Sequence, residues 1–310
     1  MKAFLALAIL LASFRSGAQE DTSAIVTLSK VTTLSEVVIR SDLDVVKFLQ
    51  RIKDDTTFYK AFRNLRILGF TALNDIMMLD KKGRNIASLQ SKTRQNRIAG
   101  CRTMDIMEER TTGDMYEDGE LNYYTANLYA SLFFTKGRIC GENNIVKGME
   151  RNVRGSSGME KHKEQLKMLF FNPGKPIPGI PFIGNKINIF DPEVSRYYDF
   201  FIDMGDVNGL ECYVFRIRPK EGLSNSQRDD IVFDNITTWF HSKTMEIVAR
   251  VYDLSYNTPA YDFDVHIEVE MTRVGEYLVP KVLRYKGNWD VAFKKRERGV
   301  FTATLFDFKE

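Results

Sequence analysis

The chain has 310 residues, a formal net charge of +3, 44% hydrophobic and 27% charged residues, and three cysteines. So balanced a charge excludes the strong basic excess that marks nucleic-acid binders. Three cysteines are too few for a disulfide-built scaffold, and they lack the close pairing of a zinc site.

Lys2, the apolar run from Phe4 to Ala12, and the small residues Ser16, Gly17 and Ala18 follow the order of a secretory leader. Residues 1–18 are therefore expected to be a cleavable signal peptide that delivers the chain to the periplasm. The run is shorter than the roughly 20 residues a membrane span needs, and Arg15 interrupts it. Loss of Lys2 and Arg15 lowers the net charge to +1. Residues 19–310 show neither an internal repeat nor a low-complexity linker, so one domain is expected.

After an extended lead-in from Thr33 to Ile39, Ser41 or Asp42 is placed to cap a helix near 42–53, where Val45, Phe48, Leu49 and Ile52 fall at i, i+3, i+4 and i+7. Phe58, Ala61, Phe62 and Leu65 repeat that spacing and predict a second helix over 57–68. From Gly69 the period becomes two, with a turn at Lys81 to Arg84. Tyr124, Ala126, Leu128, Ala130, Leu132 and Phe134 alternate with Thr125, Asn127, Tyr129 and Ser131, which predicts a long strand. Leu166, Leu169 and Phe170 mark a third helix near 159–171.

The second half is strand and hairpin. Asp206-Val207-Asn208-Gly209 turns into Cys212 to Arg218, and Ile231 to Phe240 leads through His241 to Thr244 into Ile247 to Leu254. Phe263, Val265, Ile267, Val269 and Met271 alternate with Asp264, His266, Glu268 and Glu270. A turn at Arg273 to Glu276 precedes Tyr277 to Lys286, and Val300 to Phe308 closes the series. Such regular strands with one polar face predict an α+β fold: a large curved antiparallel sheet, a half-barrel, with a few flanking helices.

One segment breaks the rhythm. Residues 172–184 gather four of the eight prolines around Ile177, Ile180, Phe182 and Ile183. Proline bars regular helix and central strand there. An apolar loop of this kind either packs on the sheet as a plug, its commoner use, or covers a cavity as a lid.

Catalytic chemistry is sparse. His162, His241 and His266 show no metal-ligand spacing, and Gly155 to Gly158 is a flexible approach to a helix rather than a nucleophile elbow. His266 and Glu268 stand on one strand face, where such neighbours usually face solvent. The basic groups Lys92, Arg94, Arg97, Arg102 and Lys294, Lys295, Arg296, Arg298 fit charged strand edges better than an anionic-lipid surface. In an oxidising compartment Cys101 and Cys140 are placed to pair, because they bracket an expected hairpin, while Cys212 alternates with Val214 as a small core residue.

Two stretches carry a resemblance. Tyr197 to Phe201, Gly209 to Lys220, Ile231 to Phe233 and Trp239, with the lead-in Leu34 to Ile39, resemble a β-rich module of exported Bacteroidetes proteins. That module commonly follows a carboxypeptidase-regulatory-like domain and precedes an outer-membrane barrel; this chain resembles it standing alone. The hairpins from Ile231 to Phe308 also resemble the half-barrel of the lipoprotein carriers LolA and LolB, at the level of element order. The resemblance implies an apolar concavity, with Phe170, Phe171, Ile177, Ile180, Phe182 and Ile183 as candidate lining or lid. The function expected on these grounds is a periplasmic, non-enzymatic carrier or chaperone of a lipid, acyl chain or other apolar ligand, without cofactor or metal. The alternative is a module that docks on an envelope protein.

Overall fold

A computed structural model of the chain describes residues 32–34, 43–146, 165, 167–177, 183–257, 261–291 and 296–310. The expected leader, the caps Ser41 and Asp42, the start of the helix near 159–171, His162, Ile180, Phe182, Lys294 and Lys295 lie outside the described residues.

Fourteen strands are described: β1 (Thr32–Leu34), β2 (Gly69–Leu79), β3 (Asn85–Ile98), β4 (Cys101–Gly113), β5 (Tyr116–Glu117), β6 (Glu120–Leu121), β7 (Ile139–Cys140), β8 (Tyr198–Val207), β9 (Leu210–Pro219), β10 (Phe233–His241), β11 (Ile247–Asn257), β12 (Tyr261–Val274), β13 (Tyr277–Val291) and β14 (Glu297–Lys309). Twelve form one sheet in the order β1-β8-β9-β10-β11-β12-β13-β14-β2-β3-β4-β7, and β5 pairs with β6 apart from it. Neighbours are antiparallel except the short parallel pair of β1 with β8. The ends of the sheet do not meet, so it is open rather than a closed barrel. Bulges in five of the strand pairs bend it.

The strands follow from period-two patterning. Phe263, Val265, Ile267, Val269 and Met271 of β12 are all buried, as are Phe70, Ala72, Ile76 and Met78 of β2. The β8–β9 turn uses Asn208 and Gly209 with φ of 53° and 81°. Both are left-handed, as the two-residue hairpin turn that matches strand twist requires. Asp80 holds the β2–β3 turn by accepting from the backbone N–H groups of Lys82 and Arg84, at 2.7 and 3.0 Å. Cys212 is buried beside Val214, but on the face of β9 opposite Phe215 and Ile217, which join the main core.

Helices cover the inner face. Helix α1 (Val45–Asp54) is capped by Asp44, whose carboxylate accepts from the Lys47 N–H at 3.1 Å. It buries Phe48, Leu49 and Ile52, and α2 (Thr57–Asn64) buries Phe58, Ala61 and Phe62. The second helix stops at Asn64 rather than continuing to residue 68. Helical residues 167–171 and the chain from Ile183 to Phe190 add Leu169, Phe170, Phe171, Ile187 and Ile189 to the same core. The helix after α2 is α3 (Tyr124–Phe133), and two single-turn helices, α4 (Pro192–Ser195) and α5 (Asn225–Arg228), come later in the chain.

Helix α3 corrects the sequence expectation of a strand at 124–134. Thr125, Ala126, Leu128, Tyr129 and Phe133 are buried, a set spaced by one, two and four residues that fits a helical face as well as the alternation fits a strand. A remote carboxylate decides the matter. Glu297 of β14 accepts from the N–H groups of Tyr124 and Thr125, each at 2.8 Å, and from the Thr125 hydroxyl at 2.7 Å. Those are donors a helix start leaves unsatisfied. Helix and sheet approach closely here: a Cβ on Gly299 would lie 2.8 Å from the Thr125 methyl.

Candidate functional site

The inner face is packed. Tyr285 and Phe301 stack at 4.3 Å between ring centroids, Tyr129 of α3 stands edge-on to Phe301 at 4.8 Å, and Phe171 lies 4.4 Å from Phe62 of α2. Of the candidate lining residues, Phe170, Phe171, Ile177 and Ile183 are each 2–3% exposed and belong to this core. The Phe170 carbonyl also accepts from the Tyr252 hydroxyl. All four are buried among the side chains of that core.

A cleft of about 500 Å³ opens at the rim instead, between α1 and α2 on one side and the β10–β11 and β12–β13 turns on the other. Its apolar wall is Phe48, Ile52, Phe240, Met245 and Leu278, and its charged rim includes Arg51, Lys60 and Arg273 against Asp55, Glu246 and Glu276. Phe48 packs edge-on against Phe240 at 5.4 Å and Phe215 at 5.8 Å, so the floor is continuous with the core. Asn64 donates to the Leu278 carbonyl at 2.7 Å and accepts from Asn144 at 2.8 Å, which fixes the far wall.

Met245 holds an unusual position. It closes the turn after β10, donating its N–H to the His241 carbonyl at 2.8 Å, with φ of 59°. A left-handed conformation costs a non-glycine residue about 1–2 kcal/mol. Glycine is the usual solution, so a methionine at the cleft wall points to a use for its side chain.

Beside the cleft, sharing Asp55 with its rim, lies a polar cluster that sets two cations near one acid. Arg250 of β11 is 9% exposed on the inner face, donates through Nε to Thr238 at 2.9 Å, and sits 4.3 Å from the centre of the Phe58 ring. Burial lowers its pKa. Lys175 reaches from the proline-rich segment to the carbonyls of Ile52 and Lys53 at the end of α1, where a helix favours a cation. Burial also pulls its pKa down to about 8, against the pull of Asp55. Asp55 accepts from the Thr57 N–H at 3.0 Å, while its other carboxylate oxygen is buried without a hydrogen-bond partner.

The remaining sequence candidates settle elsewhere. His266 lies on the outer face, with Nδ1 2.6 Å from Asp253 and Nε2 3.0 Å from Glu268. Burial depresses its pKa, but the two carboxylate hydrogen bonds outweigh that and raise it. With both ring nitrogens occupied it is an ion-pair partner. His241 accepts the N–H groups of Lys243 and Thr244 and shapes its turn. Arg102, expected among edge charges, is 2% exposed and ion-paired to Glu142. The barely exposed position follows from the packing of Gln95, Thr135 and Glu142 around it, each within reach of its guanidinium. Cys101 and Cys140 are joined by a disulfide that links β4 to β7. Among the described residues no group of three or more His, Cys, Asp or Glu is placed to hold a metal ion, and no helix is long and apolar enough to cross a membrane.

Sequence reasoning missed the cleft residues. The one local signal was Met245, an apolar residue inside a polar turn.

No family model matches the chain, and no curated protein matches it. Solved structures similar to it include a DUF1329 family protein from Desulfovibrio piger, 11% identical, with a TM-score of 0.26 over 82% of this chain and 93% of that one. A domain assigned to outer-membrane lipoprotein sorting from Vibrio parahaemolyticus is 9% identical, with a TM-score of 0.27 over 85% and 90%. A lipovitellin structure concerned with lipid–protein interactions is 6% identical, with a TM-score of 0.22 over 78% of this chain and 25% of that one.

Proposed function

We propose that the protein is a non-enzymatic carrier outside the cytoplasm that holds an amphiphile, with its acyl chain against the apolar wall of the rim cleft and its head at the charged rim. The observation that carries this is the cleft itself: an apolar floor that runs into the core, ringed by both signs of charge, Arg51, Lys60 and Arg273 with Asp55, Glu246 and Glu276. Each buried methylene contributes about 0.8 kcal/mol, so a short stretch of chain gives useful affinity without specific polar contacts. The packed inner face makes uptake of a longer chain depend on displacement of buried side chains such as Phe170, Phe171, Ile177 and Ile183.

The test is purification without detergent, followed by solvent extraction and mass spectrometry, with phenylnaphthylamine fluorescence as a second readout. Met245→Asp and Leu278→Asp are expected to weaken dye binding at least tenfold. Met245→Gly, which frees the left-handed backbone while removing the side chain, should weaken binding yet keep the melting temperature at or above that of the wild type. Protein that carries no lipid and leaves the dye dark in every form would sink the carrier.

Docking on an envelope protein is the second reading, favoured by the side-chain packing of the inner face. Under it, crosslinking in envelope extracts gives one dominant protein partner and extraction gives no lipid.

A further inference from the structure

Strand β4 forms most of one edge of the sheet. Its neighbour β7 pairs only with Cys101 and Arg102. At the other end Gly113, with φ of 64°, turns the chain out of the strand. Between these limits residues 103–112 have no strand on their outer side among the described residues, and residues 105–113 are all exposed. Ile106 is 62% and Met107 45% exposed, large apolar side chains on a strand that pairs with β3 on one side and presents its outward backbone groups to no strand among the described residues.

We propose that this edge pairs with the same edge of a second copy of the chain, antiparallel about a two-fold axis, to make one sheet continuous through both copies. Two observations select the register independently. The open stretch, 103–112, uses its full length in self-pairing only when the axis passes between Met107 and Glu108. That same register sets Asp105 opposite Arg110 of the second copy, and Arg110 opposite Asp105, so two opposite-charge pairs form. Asp105 and Arg110 share the outer face despite their odd spacing, because β4 carries one extra residue at Met107, between the pairs Glu108 with Lys92 and Ile106 with Thr93. The axis places the bulges of both copies side by side, so their kinks coincide. Around the axis Met107 then lies opposite Glu108 and Ile106 opposite Glu109 of the second copy, with Lys92 of β3 beside each Glu108. Asp105 accepts one hydrogen bond from Asn96 at 2.7 Å and keeps acceptor capacity for an arginine. Edge charges and bulges also serve to prevent strand addition; the reciprocal charge pattern is what makes this edge accept one partner, its own copy.

Sedimentation of the purified chain over a concentration series tests the inference. A reversible dimer is expected, with amide exchange of residues 103–112 slowing as concentration rises. Asp105→Arg and Arg110→Asp should each weaken dimerisation tenfold or more, and the double charge reversal should restore it. Circular dichroism checks that each variant folds, and exposed positions make that the expected result. A monomer up to the solubility limit overturns the proposal, as does a dimer indifferent to the single reversals or a double reversal that stays monomeric. Since none of these residues lines the cleft, the outcome is independent of lipid binding.

Discussion

The two helix-covered ends of the inner face are built differently. Under α3 the helix start and its buried neighbours are tied together by hydrogen bonds, with the Tyr285 hydroxyl left unpartnered: Glu297 takes the helix N–H groups, Trp289 donates to the Thr125 hydroxyl at 2.9 Å, and Tyr129 donates to Asn74 at 2.7 Å. Under α1 and α2 the charges crowd a cleft, one carboxylate oxygen of Asp55 has no partner, and burial pulls the pKa of a lysine down to about 8. A satisfied polar network rigidifies, whereas a partly satisfied one leaves free energy that a ligand or a rearrangement can recover. The sealed end is therefore the structural anchor and the open end the place where the molecule can change.

That contrast can be broken most directly at the sealed end. Phe301→Ala removes a ring that stacks on Tyr285 and meets Tyr129, and should cost about 3–5 kcal/mol in urea unfolding. A loss under about 1 kcal/mol would mean that this end is no anchor. Glu297→Ala strips α3 of its cap and should cost about 2 kcal/mol, with loss of helical dichroism. Neither change should alter dye binding at the cleft.

At the open end Lys175→Met gives a pH signature. The folded pKa of Lys175 lies near 8 and its ordinary value is 10.5, so between them the unfolded chain binds more protons and wild-type stability rises with pH. The variant lacks that rise, and the stability difference should shift toward the wild type between those two pH values. A difference that stays flat would show that the ammonium is not buried. The smallest effect is expected from His266→Gln on the outer face, away from both ends. The folded pKa of His266 is raised above 6.5, so its contribution is fully present below that value and fades as pH rises through the folded one. Melting temperatures of wild type and variant should differ by a small amount at about pH 5 and converge at about pH 9.

Local pattern carried the sheet because alternation and turn chemistry act over a few residues: β12 with its five buried apolar positions, and the Asn208-Gly209 turn, are legible as they stand. The disulfide was legible in part, since Cys101 and Cys140 lie in register neighbours of β4 and β7. The candidate site was legible only as apolar residues seeking cover. Phe170, Phe171, Ile177 and Ile183 did find it, but composition does not say whether cover is a lid or a core.

What the sequence alone determined is therefore the chemistry of each segment: which faces must leave water, where the chain can turn, and which helices need a sheet. What tertiary structure decided is the identity of 124–133 as helix rather than strand, the burial of Arg102, and the placing of the cleft. Each depends on a partner far along the chain, Glu297 for α3, Glu142 for Arg102, and turns more than 180 residues beyond α1 for the cleft. Periodicity reports the burial a segment needs, whereas satisfaction of its polar groups depends on which distant residue arrives beside it.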